Sequence, residues 1–170
     1  AVQLFYGAPG GLTATTAAEA DVTVAAGEDV ALGWIGRTAG DVNADGYADL
    51  IAGNSIVKPE WNAYIFQGSP SGILASSVAD ADATLSGDLG VEWLQVTGGW
   101  AGDVNGDGGT DLAMGLHSAQ PGGSVEVYLG ACEATTWYAD ADGDGFGDED
   151  GAVSRCTPRP GEVSDATDCD

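Results

Sequence analysis

Apolar and polar residues alternate through Val125-Glu126-Val127-Tyr128-Leu129, with Val125, Val127 and Leu129 on one face and Glu126 and Tyr128 on the other. Successive side chains of a strand point to opposite faces, so a period of two predicts a half-buried strand. Ala63-Tyr64-Ile65-Phe66-Gln67 and Val2-Gln3-Leu4-Phe5-Tyr6 hold the same place ahead of a glycine. A second class of segment is a short apolar run closed by glycine: Asp49-Leu50-Ile51-Ala52-Gly53 and Asp111-Leu112-Ala113-Met114-Gly115. Such runs are too short for a helix of three turns and suit a buried strand.

The segments recur. Val2 to Leu12 aligns with Ala63 to Ile73, with Gly7 and Gly68 in register 61 residues apart. A third copy starts at Val125, its Gly130 lying 62 residues after Gly68, and departs where Cys132 replaces the expected Pro70. Each unit reads as four strands, near 32–39, 48–53, 62–67 and 82–86 in the complete copy. The Gly-x-Pro-x-Gly segment after the third is a turn, with proline presetting φ. Four short antiparallel strands in sixty-odd residues form a propeller-blade pattern. The expected fold is all-β: a partial blade over 1–30 (strands 2–6 and 21–24), a full blade over 31–90, and a partial blade over 91–130 that lacks its fourth strand. Residues 131–170 form a separate, loop-rich, Asp-rich segment containing cysteines.

Between the first two strands of a unit lies Asp41-Val42-Asn43-Ala44-Asp45-Gly46-Tyr47-Ala48-Asp49, repeated as Asp103-Val104-Asn105-Gly106-Asp107-Gly108-Gly109-Thr110-Asp111. Ca²⁺ takes six to eight oxygen ligands. Positions 1, 3, 5 and 9 supply side-chain oxygens: Asp41, Asn43, Asp45 and Asp49, then Asp103, Asn105, Asp107 and Asp111. Tyr47 and Gly109, at position 7, supply a backbone carbonyl. Glycine at position 6 allows the sharp turn. An EF-hand needs a bidentate Glu at position 12, and that place holds Ala52 and Met114. A third loop of the same design runs from Asp140 through Asp142, Asp144 and Phe146 to Asp148.

Acids outnumber bases 27 to 4, for a formal charge of −23 in 170 residues. That argues against nucleic acid and anionic membrane surfaces as partners, since both need a basic footprint. The loops hold much of this charge. No apolar stretch reaches the length of a membrane span. The chain begins at Ala1 without a signal peptide and stops at Asp170, which is expected of a mature or partial chain. Cysteines and Ca²⁺ loops favour an oxidising, extracellular setting.

The run Ala39 to Gly53, followed by Ala63 to Gly68, resembles an FG-GAP repeat of the integrin α-subunit β-propeller type. Ala101 to Gly115, followed by Val125 to Gly130, is similar, and the resemblance covers residues 1–130. It implies blade-like sheets, Ca²⁺ at both loops, and a non-catalytic role in adhesion or surface structure. Such propellers close with about seven blades, and this chain has fewer. Residues 131–170, from Trp137-Tyr138 through the third loop to Asp165, Asp168, Cys169 and Asp170, resemble a short metal-binding motif of secreted bacterial proteins and thrombospondin type 3 calcium repeats. Carboxylate ligands there suit Ca²⁺ rather than copper.

Cys156 and Cys169 flank a Pro- and Gly-rich segment and are the expected disulfide, with Cys132–Cys156 and Cys132–Cys169 as alternatives. His117, the single histidine, has no second imidazole or C-x-x-C pair to form a zinc or catalytic site with. Of Trp34, Trp61, Trp93, Trp100 and Trp137, Trp61 beside Pro59 is the best candidate for an exposed partner contact, the others being expected to fill space between sheets. Thr13 to Thr16 reads as a solvated loop. The expected function is a Ca²⁺-stabilised extracellular structural or adhesive repeat protein. Its partners would be further copies, joined head-to-tail by strand addition, or neighbouring repeats of a longer chain. The competing class is a carbohydrate-binding or enzyme-accessory module with a glycan or surface partner.

Overall fold

In the computed structural model, the described residues are 1–27, 32–54, 60–88, 95–117, 122–132 and 134–168; for 34–37, 60, 88, 95–97, 116 and 117 the backbone alone is described. The β-branched and alternating segments form strands, all paired antiparallel. β1 (Val2–Leu4) pairs with β2 (Val22–Val24). β3 (Leu32–Gly40), β4 (Asp49–Asn54), β5 (Glu60–Phe66) and β6 (Ala83–Asp88) form a four-stranded meander in chain order. β7 (Gln95–Gly102), β8 (Asp111–His117) and β9 (Ser124–Tyr128) form a three-stranded one. Among the described residues β9 pairs with β8 alone.

β4 is buried on both faces, which explains why it reads as an apolar run rather than an alternation. Leu50 and Ala52 of β4, with Phe66 of β5 and Ile73, pack toward Val2, Leu4, Val22 and Val24 of the β1–β2 sheet. Ile51, with Trp61, Ala63 and Ile65 of β5, packs the other way, against Leu112 and Met114 of β8. A shift of one residue in the register of β4 would exchange these two sets, so both neighbouring sheets hold the register.

Trp61 belongs to this core. It is 4% exposed, opposite Gly87 of β6, and is not a partner contact. The reason is strand phase: Trp61, Ala63 and Ile65 share one face, and the sheet that follows covers that face. Trp93 and Pro59 lie outside the described residues. Trp100, expected to fill space, is 65% exposed at the end of β7.

Residues 131–170 are more ordered than their composition implies. β10 (Thr135–Ala139) pairs on one side with β11 (Asp148–Arg155) and on the other with β12 (Glu162–Val163). The Trp137 indole N–H donates to the Arg155 carbonyl at 3.0 Å, and Arg155 pairs with Glu162 at 3.4 Å. The acids Asp148, Glu149 and Asp150 at the start of β11 hide it from a pattern search. The disulfide joins Cys132 to Cys156, with Cα atoms 5.6 Å apart. This corrects the expected Cys156–Cys169 pair; Cys169 lies outside the described residues. Antiparallel pairing explains the choice. Thr135 faces Arg155, so Cys132 and Cys156 lie just past the same end of the β10–β11 ladder.

Phe66 is 1% exposed and is the largest side chain between the first two sheets. Phe66→Ala should lower stability by about 3–5 kcal/mol through lost transfer energy and a residual cavity. Urea denaturation checks this; a midpoint near that of the parent chain would contradict the packing.

Candidate metal centre

Each acidic loop is built by its own side chains folding back on its backbone. In the first, the Asp41 carboxylate accepts the Asp45 and Gly46 N–H groups at 3.0 and 2.8 Å. Asn43 accepts the Asp45 N–H at 3.3 Å, and Asp45 accepts the Tyr47 N–H at 2.9 Å. The second loop repeats this with Asp103 on Asp107 and Gly108, Asn105 on Asp107, and Asp107 on Gly109. In the third, Asp140 accepts from Gly143 and Gly145, Asp142 from Asp144, and Asp144 from Phe146. Position 6 is left-handed in all three, with φ of 92° at Gly46, 96° at Gly108 and 94° at Gly145. Position 4 is left-handed too, which the sequence comparison missed. Glycine holds it in the second and third loops, and Ala44 adopts φ 56° in the first.

Positions 1, 3 and 5 are therefore brought together in every copy. The third loop is the densest. Its Asp140, Asp142 and Asp144 present oxygens within 4.8 Å of one another, and these residues form the one such acidic triad among the described residues. In the other two loops position 3 is an amide, and its Nδ2 donates to position 5: Asn43 to Asp45 at 2.9 Å and Asn105 to Asp107 at 2.8 Å.

Position 9 divides the loops. Asp49 is 2% exposed; it accepts the Val42 N–H at 2.7 Å and the Gly68 N–H at 2.8 Å. Asp111 is 0% exposed and repeats the bridge, to Val104 at 2.6 Å and Gly130 at 2.9 Å. Each carboxylate thus ties its loop to the glycine that follows the third strand. That glycine is required by close approach: a Cβ on Gly68 would lie 2.5 Å from the Ala48 carbonyl oxygen. Asp148 of the third loop has no such task. It is exposed, starts β11, and accepts from the Asp150 N–H. The third loop is instead backed by Gly147, whose N–H donates to the Asp165 carbonyl at 2.9 Å.

Burial raises the Asp49 carboxyl above its usual range; the Gly68 and Val42 N–H groups pull it down, and the nearby Asp41 and Asp45 charges push it up further. A cation among Asp41, Asn43 and Asp45 would reverse that last effect.

The loops are also joined to one another. The Asp41 carbonyl accepts the Thr110 N–H at 3.0 Å, and the Val42 carbonyl accepts the Ala131 N–H at 2.9 Å. The Asp107 carbonyl accepts the Cys156 N–H at 3.0 Å, so the disulfide segment sits on the second loop. Thr15 and Thr16 lie in an exposed loop, as expected, and also cap the turn that follows. Their N–H groups donate to Glu19 at the 3₁₀ turn Ala17–Glu19, just as Ser76 and Ser77 donate to Asp80 at Val78–Asp80, 61 residues on. Those bonds lower both carboxyl pKa values. The signal was legible as [ST]-[ST]-x-x-[DE] at the repeat offset. His117 closes β8 opposite Gln95.

No protein-family model matches the chain, and no curated protein matches it.

The two kinds of position 9 predict opposite mutational outcomes. Asp111→Asn places an amide N–H₂ against a backbone donor and should cost about 1.5–3 kcal/mol, the worth of a hydrogen bond to a charged group. Asp148→Asn should stay within about 0.5 kcal/mol, as exposed substitutions do. Equal losses in denaturant titrations would remove the distinction.

The raised Asp49 carboxyl also predicts a pH trend. Just above the ordinary aspartate range the folded state keeps a proton that the unfolded state has lost. The Asp49 contribution to stability is thus largest at low pH and declines as pH rises through that window to the raised value. In chelator, the stability difference between the parent chain and Asp49→Asn should drift in that sense from pH 4 upward, and a flat difference would contradict it.

Proposed function

We propose that this chain is a non-catalytic, Ca²⁺-stabilised extracellular repeat protein with a structural or adhesive role, of the FG-GAP type its loops and strands resemble. The observation that carries this is the thrice-built cradle at positions 1, 3 and 5, densest at Asp140, Asp142 and Asp144. Two unit charges 4 Å apart repel by about 1 kcal/mol even in bulk water, and more near a protein surface. A hard divalent cation removes that cost and prefers these carboxylate and carbonyl oxygens. Residues Asp41, Asn43 and Asp45, Asp103, Asn105 and Asp107, and the Asp140 triad would be the ligands, with carbonyls of Tyr47, Gly109 and Phe146. Asp49 and Asp111 would close their loops from below. The Cys132–Cys156 bond supports an oxidising compartment. The charge of −23 suits a surface-exposed chain bathed in Ca²⁺. Self-association through unpaired strands would build the larger structure.

A second reading, a carbohydrate-binding or accessory module, has Trp100 as its anchor, since an indole 65% exposed offers a stacking face. Glycan binding lost in Trp100→Ala would favour it.

Calorimetry with EDTA and with Ca²⁺ tests the first reading. Extracellular sites bind at about 10⁻⁴–10⁻³ M. With free Ca²⁺ ten times above Kd, each site adds about 1.4 kcal/mol by mass action. For a chain of this size each kcal/mol raises Tm by about 2–4 °C. Asp45→Ala, Asp107→Ala and Asp142→Ala should each remove one site's share. A melting temperature indifferent to Ca²⁺ would sink the proposal.

A further inference from the structure

We infer that the open edge of β9 is a strand-acceptor site whose occupant is β1 of a second copy of this chain. This deepens the self-associating reading above and rests on it.

The repeat shows what is unpaired. Ala63 and Ile65 of β5 face Leu85 and Ala83 of β6, and Val2 and Leu4 of β1 face Val24 and Val22 of β2 at the same offsets. Their counterparts on β9 are Val125 and Val127, which face no strand on that side among the described residues. The carbonyls of Ile65 and Leu4 turn toward their fourth strands, accepting the Asp82 and Asp21 N–H groups at 2.9 and 3.0 Å. By the same alternation, Val125 and Val127 turn their backbone N–H and C=O groups to the open side. On β1 no strand pairs with the other edge among the described residues: Leu4 points at β2, so Gln3 and Phe5 point away from it, where the β5 counterparts Tyr64 and Phe66 meet β4. One chain thus presents two edges of opposite kind.

Free edges are ordinarily guarded by charge, proline or bulges. The chain has 27 acids, yet β1 carries none. β9 carries Glu126, whose carboxylate accepts the Tyr128 hydroxyl at 2.6 Å. By contrast β11, at the edge of its sheet, opens with Asp148, Glu149 and Asp150. Val125 and Val127 are 71% and 51% exposed, where the equivalent Ala63 and Ile65 are 0% and 7%. Beside the end of β9 lies a largely apolar crevice of about 270 Å³, lined by Ile65, Ala83, Leu85, Leu112, Tyr128 and Leu129, ready to receive side chains of an added strand.

Pairing of β9 with β1 of the next molecule continues the sheet as β7-β8-β9 followed by the partner's β1-β2. The contact joins two different surfaces, so each molecule keeps one free end and association proceeds as a series. Net charge opposes it, and salt relieves that opposition.

Sedimentation velocity of the intact chain over a wide concentration range in 1 M NaCl, where the Debye length is about 3 Å, is the experiment. The expected result is a concentration-dependent series extending beyond the dimer. Val127→Glu and Phe5→Glu should each sediment as monomers. Mixed together they should give a 1:1 dimer and nothing larger, because each retains the end that the other has lost. A synthetic peptide of residues 1–8 should shorten the parent series, a readout that does not depend on how the variants fold. A monomeric parent chain, a parent species that stops at two, or Phe5→Glu associating like the parent would each overturn the assignment. None of these outcomes bears on Ca²⁺-dependent melting, so the cation reading stands or falls separately.

Discussion

A buried carboxylate holding two backbone N–H groups is the interaction on which the repeat depends. Asp49 and Asp111 are almost without solvent contact, and an ionised group there is costly unless its oxygens are satisfied. Each is satisfied twice, by the second residue of its own loop and by the glycine that ends the third strand. One side chain therefore sets the path of the loop, the start of the second strand and the end of the third. The loop geometry follows from this closure. With its last residue anchored below, positions 1, 3 and 5 are left to converge above, and they do so in both copies. The third loop reaches the same convergence with a different anchor, Gly147 against Asp165, which explains why its own position 9 is free to begin a strand.

That closure has consequences for packing. The bridging aspartates stand at the first residues of β4 and β8, the strands whose following residues form the buried centres of their sheets. Leu50, Ile51 and Ala52 can alternate between two cores because Asp49 fixes where the strand begins. The loops are then laced to each other by main-chain bonds, Asp41 to Thr110, Val42 to Ala131, and Asp107 to Cys156. The β3–β6 and β7–β9 sheets are thus held twice: by apolar contact between them, and by a line of hydrogen bonds through the acidic loops.

Much of this was legible because it repeats. The 61- and 62-residue offsets located the third strands, the acidic loops and the turns, and strand phase then separated the faces of β5 and β9. What was not legible depended on contacts outside a unit. Trp61 looked like a loop residue from its neighbours Pro59 and Glu60, and only the presence of the following sheet buries it. The cysteine pairing could not be read from spacing, because it is decided by which residues flank the same end of a two-strand ladder. β11 was hidden by its acids, and it forms because β10, rich in β-branched and aromatic residues, supplies the partner. The turning of positions 1, 3 and 5 into one loop was legible; the burial of position 9 was not, since it depends on a glycine nineteen residues further on.

Charge is distributed so that these elements do not interfere. Ten of the 27 acids lie in the three loops, at strand ends, and the apolar clusters between sheets contain none. A large share of the repulsion of a strongly acidic chain therefore falls on the loops, away from the apolar contacts. It does not fall on the apolar clusters between the sheets or on β1. The clustered carboxylates and the sheet-to-sheet contacts consequently draw on different residues. The Asp49 and Asp111 bridges are where the two meet, each carboxylate standing with one side toward the loop and the other toward the core. A change in loop charge would reach the packed strands through those two side chains, by strengthening or weakening the bonds to Gly68 and Gly130.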